Sequence, residues 1–379
     1  MDILSAFASI NAIIIALLIS LKKQKSISEK ILIAWVLNFA YLFAIPFCIE
    51  HRLFFHESYW GFLLVFFIVA QSPFIFVYTC SLSKPEFKFN FKYFYHFGFI
   101  LIISLAFIPY LLLSPEDRMN EVLQKEDLSY YSLLPMLTLL FIQIYFLTRT
   151  IIILVRHQDS IRQSYSYVER VSLAWIKLIV FAFLGIIILG FIGYGLVSAK
   201  VISVFWMDYF QIIAYIIVFF YIAFYGYRQT AVNVAILGSR PIVEKETKTD
   251  ISKAKLKTSN TLPADDKNEH ISKLLEIMEN EKIYLDPELH ITSVAIHMKM
   301  HTHQLSKLIN IKLQKNFFEF VNEYRVKEFK TLVANPRNKH ISLVGLAMDA
   351  GFNSKASFNR IFKNSTGLTP SEFKANFEF

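Results

Sequence analysis

The sequence predicts an all-α protein: a bundle of seven membrane-spanning helices followed by a cytoplasmic domain built from two helix-turn-helix units. Three observations predict it. Long apolar stretches fill residues 1–228. Lys and Arg alternate from loop to loop between those stretches. From residue 270 onward the pattern changes to short amphipathic periods separated by turn and capping residues.

The apolar stretches run Ile3–Leu21, Ile31–Ile49, Tyr59–Ser81, Tyr95–Leu113, Ser132–Ile153, Ala174–Val197 and Val204–Tyr227. A bilayer core takes about 20 apolar residues in helical form. Hydrocarbon offers no hydrogen-bond partners, so such runs close their own backbone bonds as helices. The first stretch has no basic residue before it, and Lys22, Lys23 and Lys25 follow it. That order is the reverse of a secretory signal and predicts a retained anchor.

The loops set the orientation, because Lys and Arg concentrate on the cytoplasmic side of short loops. Lys22, Lys23, Lys25 and Lys30 mark the first loop, Lys84, Lys88 and Lys92 the third, and Arg156, Arg162 and Arg170 the fifth. The second loop has only Arg52 and the sixth only Lys200. The fourth is acidic, with Glu116, Asp117, Glu121, Glu126 and Asp127 against Arg118 and Lys125. The alternation places the N-terminus outside and everything after Tyr227 in the cytoplasm.

Composition agrees once position is considered. Apolar residues make up 55% of the chain and charged residues 18%, against about 25% charged in soluble domains. The net charge is +9, which suits nucleic acid and the inner face of a membrane equally. Cys48 and Cys80 lie inside apolar runs and have neither metal-ligand spacing nor a disulfide framework. Asn38, Gln71, Gln143 and Gln211 are amides within apolar runs, where they either bridge helices or line a site, and Asp208 lies near the outer end of the seventh run, where interfacial water can solvate it. Pro46, Pro73 and Pro109 should kink their helices. Zinc-binding HExxH, Gly-rich phosphate-loop and GxSxG signatures are lacking, so no catalytic residue, metal or cofactor is expected and the chain does not read as an enzyme.

Residues 229–269 form a linker. Residues 229–238 are mixed and can extend the seventh helix. Beyond Pro241 the run EKETKTDISKAKLKTSNTLPADDKNE lacks aromatics and any sustained period. A coil of about 30 residues spans on the order of 30 Å, which would hold the next domain close beneath the membrane.

In residues 270–379 the helical period returns. Ile271, Leu274, Leu275 and Met278 share a face. Asp286 and Pro287 read as a cap and first turn, followed by Ile291, Val294, Ala295 and Met298 and then Leu305, Leu308 and Ile309. A longer helix over Phe317–Ala334 stops before Pro336. The short-helix pattern then repeats, with Leu343, Leu346 and Ala347, a turn at Gly351, and Phe358, Ile361 and Phe362. Thr369, Pro370, Ser371 and Glu372 make a capping box for a last helix. The region holds 15 basic and 11 acidic residues, a modest surplus, so the arrangement rather than net charge points to DNA. His297, His301 and His303 lack an accompanying cysteine or carboxylate cluster, which argues against a metal site.

The run HISLVGLAMDAGFNSKASFNRIFKNSTGLTPSEFK, residues 340–374, resembles the second helix-turn-helix of AraC-type transcriptional regulators. The elements carrying the match are Ala347, Gly351 and Phe352 in the turn, the helix Ser357 to Lys363, and the Thr-Gly-x-Thr-Pro-Ser-Glu-Phe segment. The likeness reaches upstream to about Tyr284. Two positions depart from it: Lys299 stands where Gly is usual in the first turn, and Phe329 where a small residue is usual in the connecting helix. By position, the resemblance implies base reading by His303, Ser306 and Lys307 in the first unit and by Lys355, Ser357, Asn359 and Arg360 in the second. It implies a sequence-specific transcription regulator tethered to a bacterial inner membrane and coupled to a signal sensed there. The alternative is a membrane transporter or receptor whose helical module binds a protein. The partners implied are double-stranded DNA, the lipid bilayer, an unidentified signal or ligand and, left open at this point, a second copy of the chain as a homodimer.

Overall fold

In the computed structural model, residues 2–51, 60–83, 130–168, 172–238 and 264–376 are described, together with isolated positions between 87 and 117. The described chain is helical, with no strand beyond one isolated antiparallel bridge between Tyr165 and His290. It divides into two compact units. One joins Met1–Val155 with Leu173–Arg240, and the other joins Arg156–Ser172 with Pro241–Phe379. The predicted fourth apolar stretch, Tyr95–Leu113, apart from four isolated positions, and residues 239–263 of the linker lie outside the described residues.

The first unit contains α1 (Asp2–Ser20), α2 (Ile27–Glu50), α3 (Trp60–Ser83), α4 (Tyr130–Ser164), α5 (Ala174–Ser198) and α6 (Val204–Gly238). Within them, Ile3–Ser20, Ile27–Cys48, Leu140–Ser164, Ala174–Ser198 and Phe205–Gln229 are long and apolar enough to cross a membrane, and Phe67–Ser83 is a shorter apolar helix. Helix α6 runs on through Gly238, as the mixed composition of 229–238 allows.

Apolar side chains face outward in this unit, and several polar ones lie inside it among an apolar core. Ile3, Phe7, Leu17, Phe181, Ile188 and Ile217 are exposed, while Asn38, Gln71, Thr79, Gln143 and Thr150 are buried. The Gln71 amide donates to Asn38 Oδ1 at 2.6 Å and accepts from Trp35 Nε1 at 2.7 Å. Two of the polar residues singled out in the sequence therefore bridge α2 and α3, which satisfies them away from water. Ala8, Ala12 and Ala16 are buried on α1. Small side chains let two helices approach closely, and the Ser9 hydroxyl reaches the Ala40 carbonyl of α2 at 2.8 Å. Trp35, Phe39, Phe43, Tyr78 and Phe219 form the aromatic centre.

In the second unit, α7 (Ala264–Glu276) leads through a π turn and a 3-10 turn to α8 (Ile291–His297) and α9 (Thr302–Leu313). The long α10 (Phe317–Ala334) connects these to α11 (Leu343–Asp349), α12 (Lys355–Thr366) and α13 (Pro370–Ala375). Side-chain caps fix the starts. Asn316 and Glu319 exchange bonds at 2.9 and 3.1 Å before α10, and Thr369 and Glu372 do so at 3.3 and 2.7 Å before α13. One expected start moves. Asp286 does not cap a helix; its carboxylate closes a short turn on Glu288 N at 2.9 Å. Helix α8 begins instead after His290, whose extended backbone ends that turn.

The unit has two cores on one connecting helix. Phe317, Phe320 and Val321 of α10 join Leu274, Met278, Ile291, Val294, Leu305 and Ile309. Val326, Phe329 and Val333 of the same helix join Leu346, Ala347, Phe352, Phe358 and Phe362. The side chain between the two sets is Arg325, 2% exposed. Its Nε donates to the Tyr284 carbonyl at 2.8 Å and its Nη2 to the Asp286 carbonyl at 2.6 Å. Burial lowers its pKa to about 10, so it remains a cation at neutral pH and its donors are all available.

Candidate nucleic-acid interface

The two helix pairs follow one plan. Helices α8 and α11 are both 7 residues long, and α9 and α12 are both 12. The turns also match. After α8, Lys299 N reaches Ile296 O at 3.0 Å and Met300 N reaches Ala295 O at 2.9 Å. After α11, Gly351 N reaches Met348 O at 2.9 Å and Phe352 N reaches Ala347 O at 3.0 Å. The bond spanning five residues needs a left-handed residue at the penultimate position. Gly351 supplies it at φ 91° and Lys299 at φ 56°. Lys299 therefore keeps the turn that glycine would make, and the first unit retains the geometry of the second despite its departure in sequence.

Gly351 is also required sterically. A β-carbon there would lie 2.5 Å from the Tyr284 carbonyl oxygen and 2.9 Å from Leu285 Cα. The second turn thus rests against the chain leading into the first unit.

The second helix of each pair is anchored by its apolar face. Leu305, Leu308 and Ile309 of α9 are buried, leaving His303 and Lys307 exposed and Ser306 half-buried. On α12, Phe358 and Phe362 are buried, with ring centroids 4.5 and 5.2 Å from Phe329. Lys355, Asn359 and Arg360 are exposed. Phe329, where the resemblance led to the expectation of a small residue, is accommodated as the partner of those two rings. Ser357 differs from the other candidates: it is 4% exposed, and its backbone N–H donates to the Ser354 hydroxyl at 3.1 Å as part of the helix cap. Ser357 is therefore the least exposed of the seven expected residues. Lys363 was not among the expected residues; it is exposed one turn beyond Asn359 and continues the stripe of Lys355 and Asn359. The i, i+4, i+8 spacing is the signal that marks it.

Charge is segregated rather than abundant. Neither THQLSKLINIKL of α9 nor KASFNRIFKNST of α12 contains a carboxylate. The acidic residues of this part lie elsewhere, as with Glu319, Glu323 and Glu328 of α10. Glu328 is occupied by Lys282 Nζ at 2.9 Å and by the Tyr284 hydroxyl at 2.9 Å. His297 pairs with Glu281 at 3.1 Å, and among the described residues no cluster suited to a metal ion occurs.

Comparison with known proteins agrees with this geometry. A helix-turn-helix domain family matches residues 294–376. The arabinose operon regulatory proteins of Salmonella typhimurium and Escherichia coli are each 30% identical over 93 residues, 24% of this chain. The match spans 32% of the first relative and 31% of the second, so the chain covers about a third of their length. No solved structure matches the chain. The repeated turn, the equal helix lengths and these relatives identify residues 294–376 as a helix-turn-helix domain of the AraC type.

Proposed function

We propose that this protein is a membrane-anchored, sequence-specific DNA-binding transcription regulator. Residues 1–228 form its membrane region, 229–269 a cytoplasmic linker and 270–379 the DNA-binding domain. The carrying observation is the pair of carboxylate-free second helices, each presenting exposed cations from a framework with the same turn. In a helix-turn-helix the second helix lies in the major groove, and two such helices meet groove segments about one helical turn, roughly 34 Å, apart. Arg360 and Lys355 are suited to guanine edges, and Asn359 to adenine. His303, Ser306 and Lys307 fill the corresponding places in the first unit, and Lys363 is suited to phosphate.

Membrane anchoring is supported by the long apolar helices with apolar exteriors and bridged polar interiors. Loop charge supports an outside N-terminus and a cytoplasmic C-terminal domain. The regulator would sense a signal at or within the bundle and act through promoter binding, as a monomer or as a homodimer. The names of the two relatives describe regulators of an operon, which favours transcription control here also.

Arg360→Ala tests the assignment. In the full-length protein it should weaken binding to mapped genomic sites by about 1–3 kcal/mol, with a smaller effect on unrelated DNA. Genome-wide mapping of bound DNA for both forms, followed by titration on the recovered sites, measures it. Unchanged affinity at those sites would remove Arg360 from the interface.

A further inference from the structure

The segment joining α4 and α5 is built into the second unit rather than left as a loop. Tyr165 forms an antiparallel bridge with His290, and Ser166 N donates to the Leu289 carbonyl at 3.2 Å. Ser166 is 1% exposed. Its carbonyl accepts from Asn322 Nδ2 at 3.0 Å and from Arg325 Nη1 at 3.2 Å, and its hydroxyl oxygen accepts from Arg325 Nη2 at 3.0 Å. On either side of it, the rings of Tyr165 and Tyr167 lie 4.5 and 5.8 Å from the His290 ring, each edge-to-face.

The position of this contact gives it meaning. Arg325 separates the half of α10 that belongs to the first helix-turn-helix core from the half that belongs to the second. The same guanidinium holds the carbonyls of Tyr284 and Asp286, and the Gly351 turn of the second unit presses on that segment. A side chain seated on Arg325 therefore acts at the joint between the two DNA-reading lobes. The segment leaves His303, Lys307, Lys355, Asn359 and Arg360 exposed, which argues against a cover over the reading helices.

We propose that the seam around Arg325, Asn322 and His290 is a docking surface for the Tyr165-Ser166-Tyr167 segment of this same chain, and that the docked segment braces the two helix-turn-helix lobes in the arrangement that binds DNA. The segment is covalently continuous with the apolar helices on both sides, so a change in those helices can withdraw it. The brace rests on the DNA-binding reading above. The docking itself does not.

The test uses the full-length protein in lipid nanodiscs, with Cys48→Ala and Cys80→Ala. Opposed residues of an antiparallel pair have Cα atoms about 4.5–5.5 Å apart, within disulfide reach. Tyr165→Cys with His290→Cys should therefore cross-link under mild oxidation, whereas Tyr165→Cys with His340→Cys should not. The oxidised pair should bind mapped sites about tenfold or more tighter than the same protein after reduction, because the two substitutions remove the ring contacts that the disulfide replaces. Ser166→Arg, which sets a cation against Arg325, should lower affinity by a similar factor while leaving the helical circular dichroism unchanged. Failure to cross-link above the His340 pair would overturn the docking. Cross-linking with equal affinity in both redox states, or tighter binding after reduction, would overturn the brace. A parent protein that cross-links yet binds no DNA would overturn the proposed function instead.

Discussion

Lys299 occupies a backbone region that costs an L-residue with a side chain roughly 1–2 kcal/mol, and it does so at φ 56° because two turn bonds and the buried Met298 hold it there. Glycine gives part of that gain back as extra freedom in the unfolded chain. Lys299→Gly should therefore stabilise the domain by a net of about 0.5–1 kcal/mol, seen as a higher urea midpoint with the slope of the transition unchanged. Residues of this kind show how far sequence reaches at the smallest scale. Gly351 announced its turn because only glycine accepts both the φ and the near backbone of Tyr284. Lys299 concealed the same turn, since a lysine carries no sign of the conformation its neighbours impose. The burial of Ser357 was hidden for a related reason: helical spacing places it beside Phe358, and how much of it is covered depends on the tilt of α12 against α10.

At the scale of elements, α10 is the part on which both lobes depend. It was legible from end to end, Phe317 to Ala334, with Pro336 as its stop, while the Asn316–Glu319 cap that opens it was found only in the structure. Its internal division was not read, although a clue was present. Arg325 lies one turn from Val321 and one from Phe329, both 0% exposed, so a guanidinium sits on the buried stripe. A cation there needs acceptors from outside the helix, and Ser166 is far too distant in sequence for a periodicity argument to find. Phe329 is the aromatic residue that α10 gives to the second core, where it meets two rings. Phe329→Ala should cost about 3–5 kcal/mol, and the loss should fall on α11 and α12. Hydrogen exchange of the backbone amides would report this as lost protection in α11–α12 with α8 and α9 spared. Uniform loss across both lobes would mean that the two cores unfold as one.

For the whole molecule, composition and loop charge alone separate an oily front from a polar back, because a bilayer and water select opposite surfaces. The bridged amides of Asn38 and Gln71 inside and the bare Phe181 and Ile188 outside have that arrangement. A fusion reporter active only in the cytoplasm should be active after Phe379 and inactive when inserted at Lys200, between α5 and α6. The reverse pattern would invert the orientation and separate the reading helices from the chromosome. The number of spans follows the same logic through an odd helix count, but the fourth stretch, Tyr95–Leu113, rests on sequence alone.

Helices α9 and α12 without a single carboxylate have one more effect. Their cations meet phosphate with no carboxylate on the same helix to compete for them. Every ammonium or guanidinium that settles on a phosphate frees a condensed counterion, so promoter occupancy would fall steeply as intracellular salt rises during osmotic upshift, whatever else the bundle reports.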